Sequence, residues 1–250
     1  MIFDFEEVFN TYHHTSKVEH TSLIDIDRAV AAWMLSLINQ MHVHDDERPE
    51  YQELKQFYQK TALSKLFIGE FDSADDFLKK LSARHQKNCD DDVIRNDLLP
   101  VMYTSRDLTI SYAERDGQTD LYNVGQQKIS DTHDISISKS YPILSYKLHV
   151  LAWQQHTACH LAMSILMYLR HTRANSHHKF KAKTQLAGKI TELNVALTGS
   201  PGYISEAQPL MVNEKRLYGQ TITLEFETEQ LEATWLERQK VTLKGKIVNE

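Results

Sequence analysis

The sequence predicts an α+β protein: an antiparallel or mixed sheet with two main helices packed on one face, an N-terminal helical extension and a C-terminal strand-like tail. Three observations lead there. Strand-like stretches come in groups, with few helices between them, instead of alternating one for one. The stretch Pro142–Trp153 sets Leu144, Tyr146, Leu148, Val150 and Ala152 on one face and Ser145, Lys147 and His149 on the other. That is the pattern of a half-solvated antiparallel strand. Two stretches, 22–41 and 155–169, carry apolar residues at helical spacing.

Each element has its own signal. Leu23, Ile26, Val30, Trp33, Met34, Leu37, Ile38 and Met41 form a helical stripe, and Ser22 with Asp25 suggests a capping-box start. Pro49 to Thr61 reads as a second helix through Tyr51, Leu54, Phe57 and Tyr58. Residues 1–61 are thus expected to be a helical unit. Leu63–Phe71 reads as a short strand, followed by a helix capped by Asp72 or Ser73 and carrying Phe77, Leu78 and Leu81. Leu98–Tyr112 is extended. Asp116-Gly117 is a hairpin-turn signal, and 117–140 reads as a long polar excursion in which Ile135 and Ile137 add a short strand.

After Pro142–Trp153 comes the helix with Ala158, Leu161, Ala162, Ile165, Leu166 and Leu169 in one stripe. Arg170–Lys183 reads as a basic loop around Phe180. Lys189–Leu197 and Leu217–Thr228 read as strands separated by a turn at Gly199–Tyr203. An acidic helical stretch precedes a last strand in which Val241, Leu243, Gly245 and Ile247 alternate with Lys240, Thr242, Lys244 and Lys246. The expected divisions are therefore 1–61, an α+β core over 62–230, and a tail over 231–250.

Composition bounds the function. The chain has 250 residues, 41% hydrophobic and 25% charged, enough for a sizeable core without a metal or disulfide staple. No apolar run approaches the ~20 residues of a membrane helix, and the acidic start Asp4, Glu6, Glu7 lacks the layout of a signal peptide. The expectation is a cytosolic protein, with Cys159 a buried free thiol on a helix. Residues 1–100 hold 19 Asp/Glu against 11 Lys/Arg, while the rest of the chain is slightly basic. That asymmetry disfavours nucleic-acid binding through the first hundred residues.

Catalytic signatures are missing. There is no Gly-x-Ser-x-Gly, no Walker loop and no Gly-x-Gly-x-x-Gly. Among 13 histidines, His156 and His160 have the i, i+4 spacing of a zinc pair, but Thr157 stands where a catalytic helix would carry Glu. A metal-binding enzyme on this pair is a weak alternative. Asp90-Asp91-Asp92 lacks the alternation of a calcium loop. Neither cofactor nor metal is expected. Arg173, Lys179 and Lys181 could touch phosphates without sequence preference, or face a neighbouring protein.

The ordered layout from Leu66 to Glu229 resembles the tail terminator and sheath-stabilising (tail completion) proteins of contractile-tailed bacteriophages. The stretches that carry the likeness are Lys65–Phe71 with Asp75–Leu81, Leu99–Met102 into Leu108–Tyr112, Tyr141–Val150, His160–Leu169, Lys189–Leu197 and Arg216–Phe226. They cover about two-thirds of the chain as a pattern of elements, without one sharp motif. The resemblance implies a virion structural protein without enzymatic activity, assembled in the host cytoplasm. It implies a homo-oligomeric ring, hexameric in that family, which caps the tail tube and sheath and joins them to the neck, with DNA passing through the lumen. Another phage neck or baseplate connector is the alternative within that setting. The expected contact elements are the strand with Val241, Leu243 and Ile247, the 113–140 excursion with Ile135 and Ile137, and the 171–183 segment with Arg173, Lys179 and Lys181.

Overall fold

A computed structural model describes residues 2–41, 48–71, 73–85, 98–112, 122–172, 178–198, 204–212 and 215–248. In chain order the elements are β1 (Ile2–His20), α1 (Leu23–Gln40), a 3-10 turn (Pro49–Tyr51) leading into α2 (Gln52–Gln59), the single turn α3 (Ala62–Lys65), β2 (Leu66–Ile68), α4 (Ala74–His85), β3 (Val101–Tyr112), β4 (Tyr122–Lys128), β5 (His133–Ser140), β6 (Pro142–Ala152), α5 (Gln155–Thr172), β7 (Lys179–Leu186), β8 (Lys189–Thr198), β9 (Ile204–Val212), β10 (Lys215–Thr228) and β11 (Gln230–Val248).

The strands form two sheets. The larger runs β2-β3-β6-β10-β8-β7, with β9 beside β8 on the same flank of β10; only the β2–β3 pair is parallel. The smaller is antiparallel, in the order β1-β11-β5-β4. This is the expected α+β class. The two main helices, α1 and α5, share one face: Ile26, Val30, Met34 and Ile38 of α1 and Leu161, Ile165 and Leu169 of α5 meet Leu144, Leu148, Leu224 and Phe226 of the sheet in one buried cluster. Strand alternation sends the other set of residues to the opposite face, where α4 packs Phe77, Leu78 and Leu81 on Val101, Tyr103 and Leu151.

The N-terminal reading needs correction. Residues 2–20 are strand, and the helices that follow contribute to the same core as the sheet, so 1–61 is no separate helical unit. Ser22 holds the N-cap position but makes no capping bond. Asp25 instead accepts a hydrogen bond from Thr184 of β7 at 2.9 Å, a tertiary contact that replaces the local box. Ser73 does cap α4, accepting the Asp76 N–H at 3.2 Å.

The start of α5 is built from a distance. Glu53 on α2 is buried, and its carboxylate accepts the backbone N–H groups of Trp153 (2.7 Å) and Gln154 (3.1 Å) just ahead of the helix. An anion is favoured there by the helix dipole and by the unpaired donors. Glu53→Gln keeps the shape but turns half of the acceptor into a donor, leaving a buried N–H unpaired. The expected cost is about 1–3 kcal/mol in urea unfolding.

Three further readings change. The stretch 230–239, rich in helix formers, is strand, because β11 is laddered to β5 over 230–237 and to β1 from Glu232 onward; tertiary pairing outweighs propensity. Of the expected basic loop, residues 170–172 belong to α5 and 179–183 to β7, whose two-residue turn into β8 puts Ala187 (φ 50°) and Gly188 (φ 77°) in the left-handed region. Glu19 of β1 accepts the Ala187 N–H at 2.9 Å, fastening that hairpin to the smaller sheet. Strand β9 had no sequence signal: Pro209 interrupts it, and the ladder with β10 skips register at that point.

Candidate functional site

The feature least explained by internal packing is the far end of the smaller sheet. β5 pairs β11 only as far as Glu237. From Arg238 to Val248 the only ladder partner of β11 among the described residues is β1, residue for residue from Tyr12 back to Ile2. This two-stranded ribbon of eleven pairs is about 36 Å long at the usual strand rise. Among the described residues, both of its outer edges lack a strand. Val241 and Leu243 are 44% and 50% exposed, and Val8, Phe9 and Tyr12 of β1 are also exposed. Ile247 lies in the same ladder, opposite Phe3.

The ribbon's base is made with care. β1 carries extra residues between His14 and Val18, a bulge that bends the strand. Lys17 sits over the Trp235 ring at 3.8 Å, and Thr15 donates to the Trp235 carbonyl at 2.8 Å. Asp134 of β5 and Arg238 of β11 form a buried ion pair where the third strand stops. The Arg238 N–H is held by the Thr132 carbonyl at 2.8 Å.

The other expected contact residues divide. Ile135 is 1% exposed and fills the small core between the two sheets with Ala233, Leu186 and Ala187, so it is an internal residue and not a contact; Ile137 is half-buried against the same cluster. Lys179 and Lys181 lie on β7, not on a loop. Lys181 pairs with Glu192 at 2.7 Å, and Lys179 borders a cavity of about 360 Å³ with Tyr141, Phe180 and Glu229. Beside that cavity Lys139 and Glu229 form an ion pair. Burial works against both charges, but their mutual hydrogen bond prevails, raising the Lys139 pKa and lowering that of Glu229. Arg173, the Asp116-Gly117 turn, Cys89 and the Asp90–Asp92 run lie outside the described residues.

The histidine pair on α5 is close, with ring centroids 5.9 Å apart, and both rings stand edge-on to Tyr51. Burial, then the neighbouring His156, lowers the His160 pKa. Among the described residues no third His, Cys, Asp or Glu joins them in a set that could hold a metal. Cys159 is a half-buried free thiol taking a 3.7 Å contact from Gln220.

Two arrangements had no counterpart in the sequence reading. One is a cavity of about 390 Å³ between α1, β2 and β3. On its wall Asp27 accepts from both the Tyr146 hydroxyl (2.6 Å) and Arg106 Nε (2.9 Å), while exposed Ile24, Ile68 and Leu108 form the rim. Burial, then the bond to Asp27, raises the Tyr146 pKa. The other is His149, expected on a solvated strand face. Its ring stacks on Tyr103 at 4.4 Å, Tyr103 stacks in turn on Phe77 at 4.3 Å, and Nδ1 is 2.9 Å from the Thr221 hydroxyl. No sequence spacing links Asp27 to Arg106 or Phe77 to His149; only the sheet brings them together.

No helix among the described residues is long and apolar enough to cross a membrane. Comparison with protein families and with characterised proteins gives no match to this chain, so the ribbon and the sheet edges are the functional information it offers.

Proposed function

We propose that this protein is a structural subunit of a contractile phage tail. It forms a ring, hexameric as the resemblance implies, at the end of the tail tube and sheath where they meet the neck. DNA passes through the ring without sequence-specific contact. The observation that carries this reading is the ribbon. A two-stranded antiparallel pair is marginal in water by itself, and unpaired strand edges are a liability that a solitary protein normally blunts. A ribbon of this length with exposed apolar residues suits a protein that is completed by neighbours. The ordered likeness over 66–229 supplies the setting, since β2, α4, β3, β6, α5, β8 and β10 succeed one another in the order it requires.

Electron microscopy of the purified protein, alone and mixed with tail tubes, tests this. Closed rings and decoration of tube ends are expected. A strict monomer at every concentration, with no binding to tubes, would sink the proposal.

A further inference from the structure

The two strands of the ribbon differ in charge. Ile2–His14 contains Asp4, Glu6 and Glu7 and no Lys or Arg, whereas Gln239–Val248 contains Lys240, Lys244 and Lys246 and no Asp or Glu. Within one copy the register sets Asp4 opposite Lys246 and Glu6 opposite Lys244. Among the described residues each strand also turns outward a backbone edge with no strand beside it, on the acidic strand at one side and the basic strand at the other, of matched length. Among the other edges, β3 is bulged between Arg106 and Ile110, β4 between Asn123 and Gly125, and β9 skips register against β10, while β7 is unbroken but only eight residues long. Bulges blunt an edge against pairing. The ribbon's ladder is uninterrupted from Ile2 to His14.

We propose that the occupant of each ribbon edge is a second copy of this chain, the basic β11 edge of one copy pairing with the acidic β1 edge of the next. Donor and acceptor edges lie on different strands, so the contact is head-to-tail and repeats until it closes. Closure makes a barrel with two strands from each copy and no remaining edge. Within a copy the register sets Asp4 and Glu6 at positions opposite lysines, and between copies the acidic strand adjoins the basic one. The inference deepens the ring reading and rests on it for closure.

The test uses the full chain with the charges exchanged: Asp4→Lys, Glu6→Lys and Glu7→Lys together with Lys240→Glu, Lys244→Glu and Lys246→Glu. This variant keeps complementarity inside each ribbon and between its own copies. Against the parent it sets acid on acid and base on base. Native mass spectrometry of the variant, the parent and their mixture reads the outcome. Each protein is expected to assemble alone, mixed oligomers are expected to fall at least tenfold below the statistical share, and assembly of both is expected to weaken as salt is raised. Free mixing overturns the edge pairing while leaving a ring built on other surfaces. Segregation into open chains instead of rings upholds the edge pairing and overturns the ring. A parent that is monomeric at every concentration overturns both.

Discussion

Arg238→Met is expected to lower unfolding stability by about 3–5 kcal/mol, read from urea denaturation. The substitution keeps an apolar stem but removes the partner of Asp134, whose side chain is only 5% exposed. A buried carboxylate without its cation is the costly state; the pair itself contributes less than this loss. Asp134→Asn in the Arg238→Met background removes the stranded charge and is expected to restore part of the loss. If the single variant is as stable as the parent, the pair is not what secures the base of the ribbon. Protease sensitivity should follow the same order, because the pair sits where β5 ends and only β1 supports β11.

The second large effect is acid instability through His149. Burial, chiefly, with the charge of Lys147 adding and that of Asp107 opposing, pushes its pKa down from the usual 6.5 to about 4. Folding therefore favours the neutral ring. Above about pH 6.5 neither state is protonated and the full stability is present. Between 6.5 and 4 the unfolded chain takes up a proton that the folded one refuses, so stability falls as pH falls. The total is about 3 kcal/mol at 1.36 kcal/mol per unit. His160 shifts in the same direction and adds to this window. Glu229 has a depressed pKa and loses its contribution only at lower pH, below the ordinary carboxylate range. His149→Asn should flatten the stability profile between pH 6.5 and 5, even though its stability at neutral pH is lower. An unchanged slope in that variant would show that the proton goes elsewhere.

Where period decided structure, the sequence was readable. β6 could be named from its alternation and α1 and α5 from their stripes, because each buries one face against a single large core. The edges were not readable. β1 and the first half of β11 have a weak pattern: residues 8–14 of β1 are exposed on both faces, and the strands exist because they pair with each other. β9 was hidden by Pro209 and its skipped register. The same division holds for the site. Val241 and Leu243 were legible as one side of an alternating strand, but not their exposure. Ile135 was misplaced because an isolated apolar residue in a polar stretch gives no hint that a second sheet will cover it. The stacked column of Phe77, Tyr103 and His149 depends on a sheet register that no local signal encodes.

The ladder that joins β1 to β11 sets Ile2 against Val248. Contacts of such sequence separation are the slowest to form, because loop closure must precede any gain from pairing. In chain order every strand and helix of the larger sheet lies between β1 and β11, so that sheet can already be folded when β11 arrives to pair with β1. The ribbon thus forms after the larger sheet. A chain released early lacks it altogether.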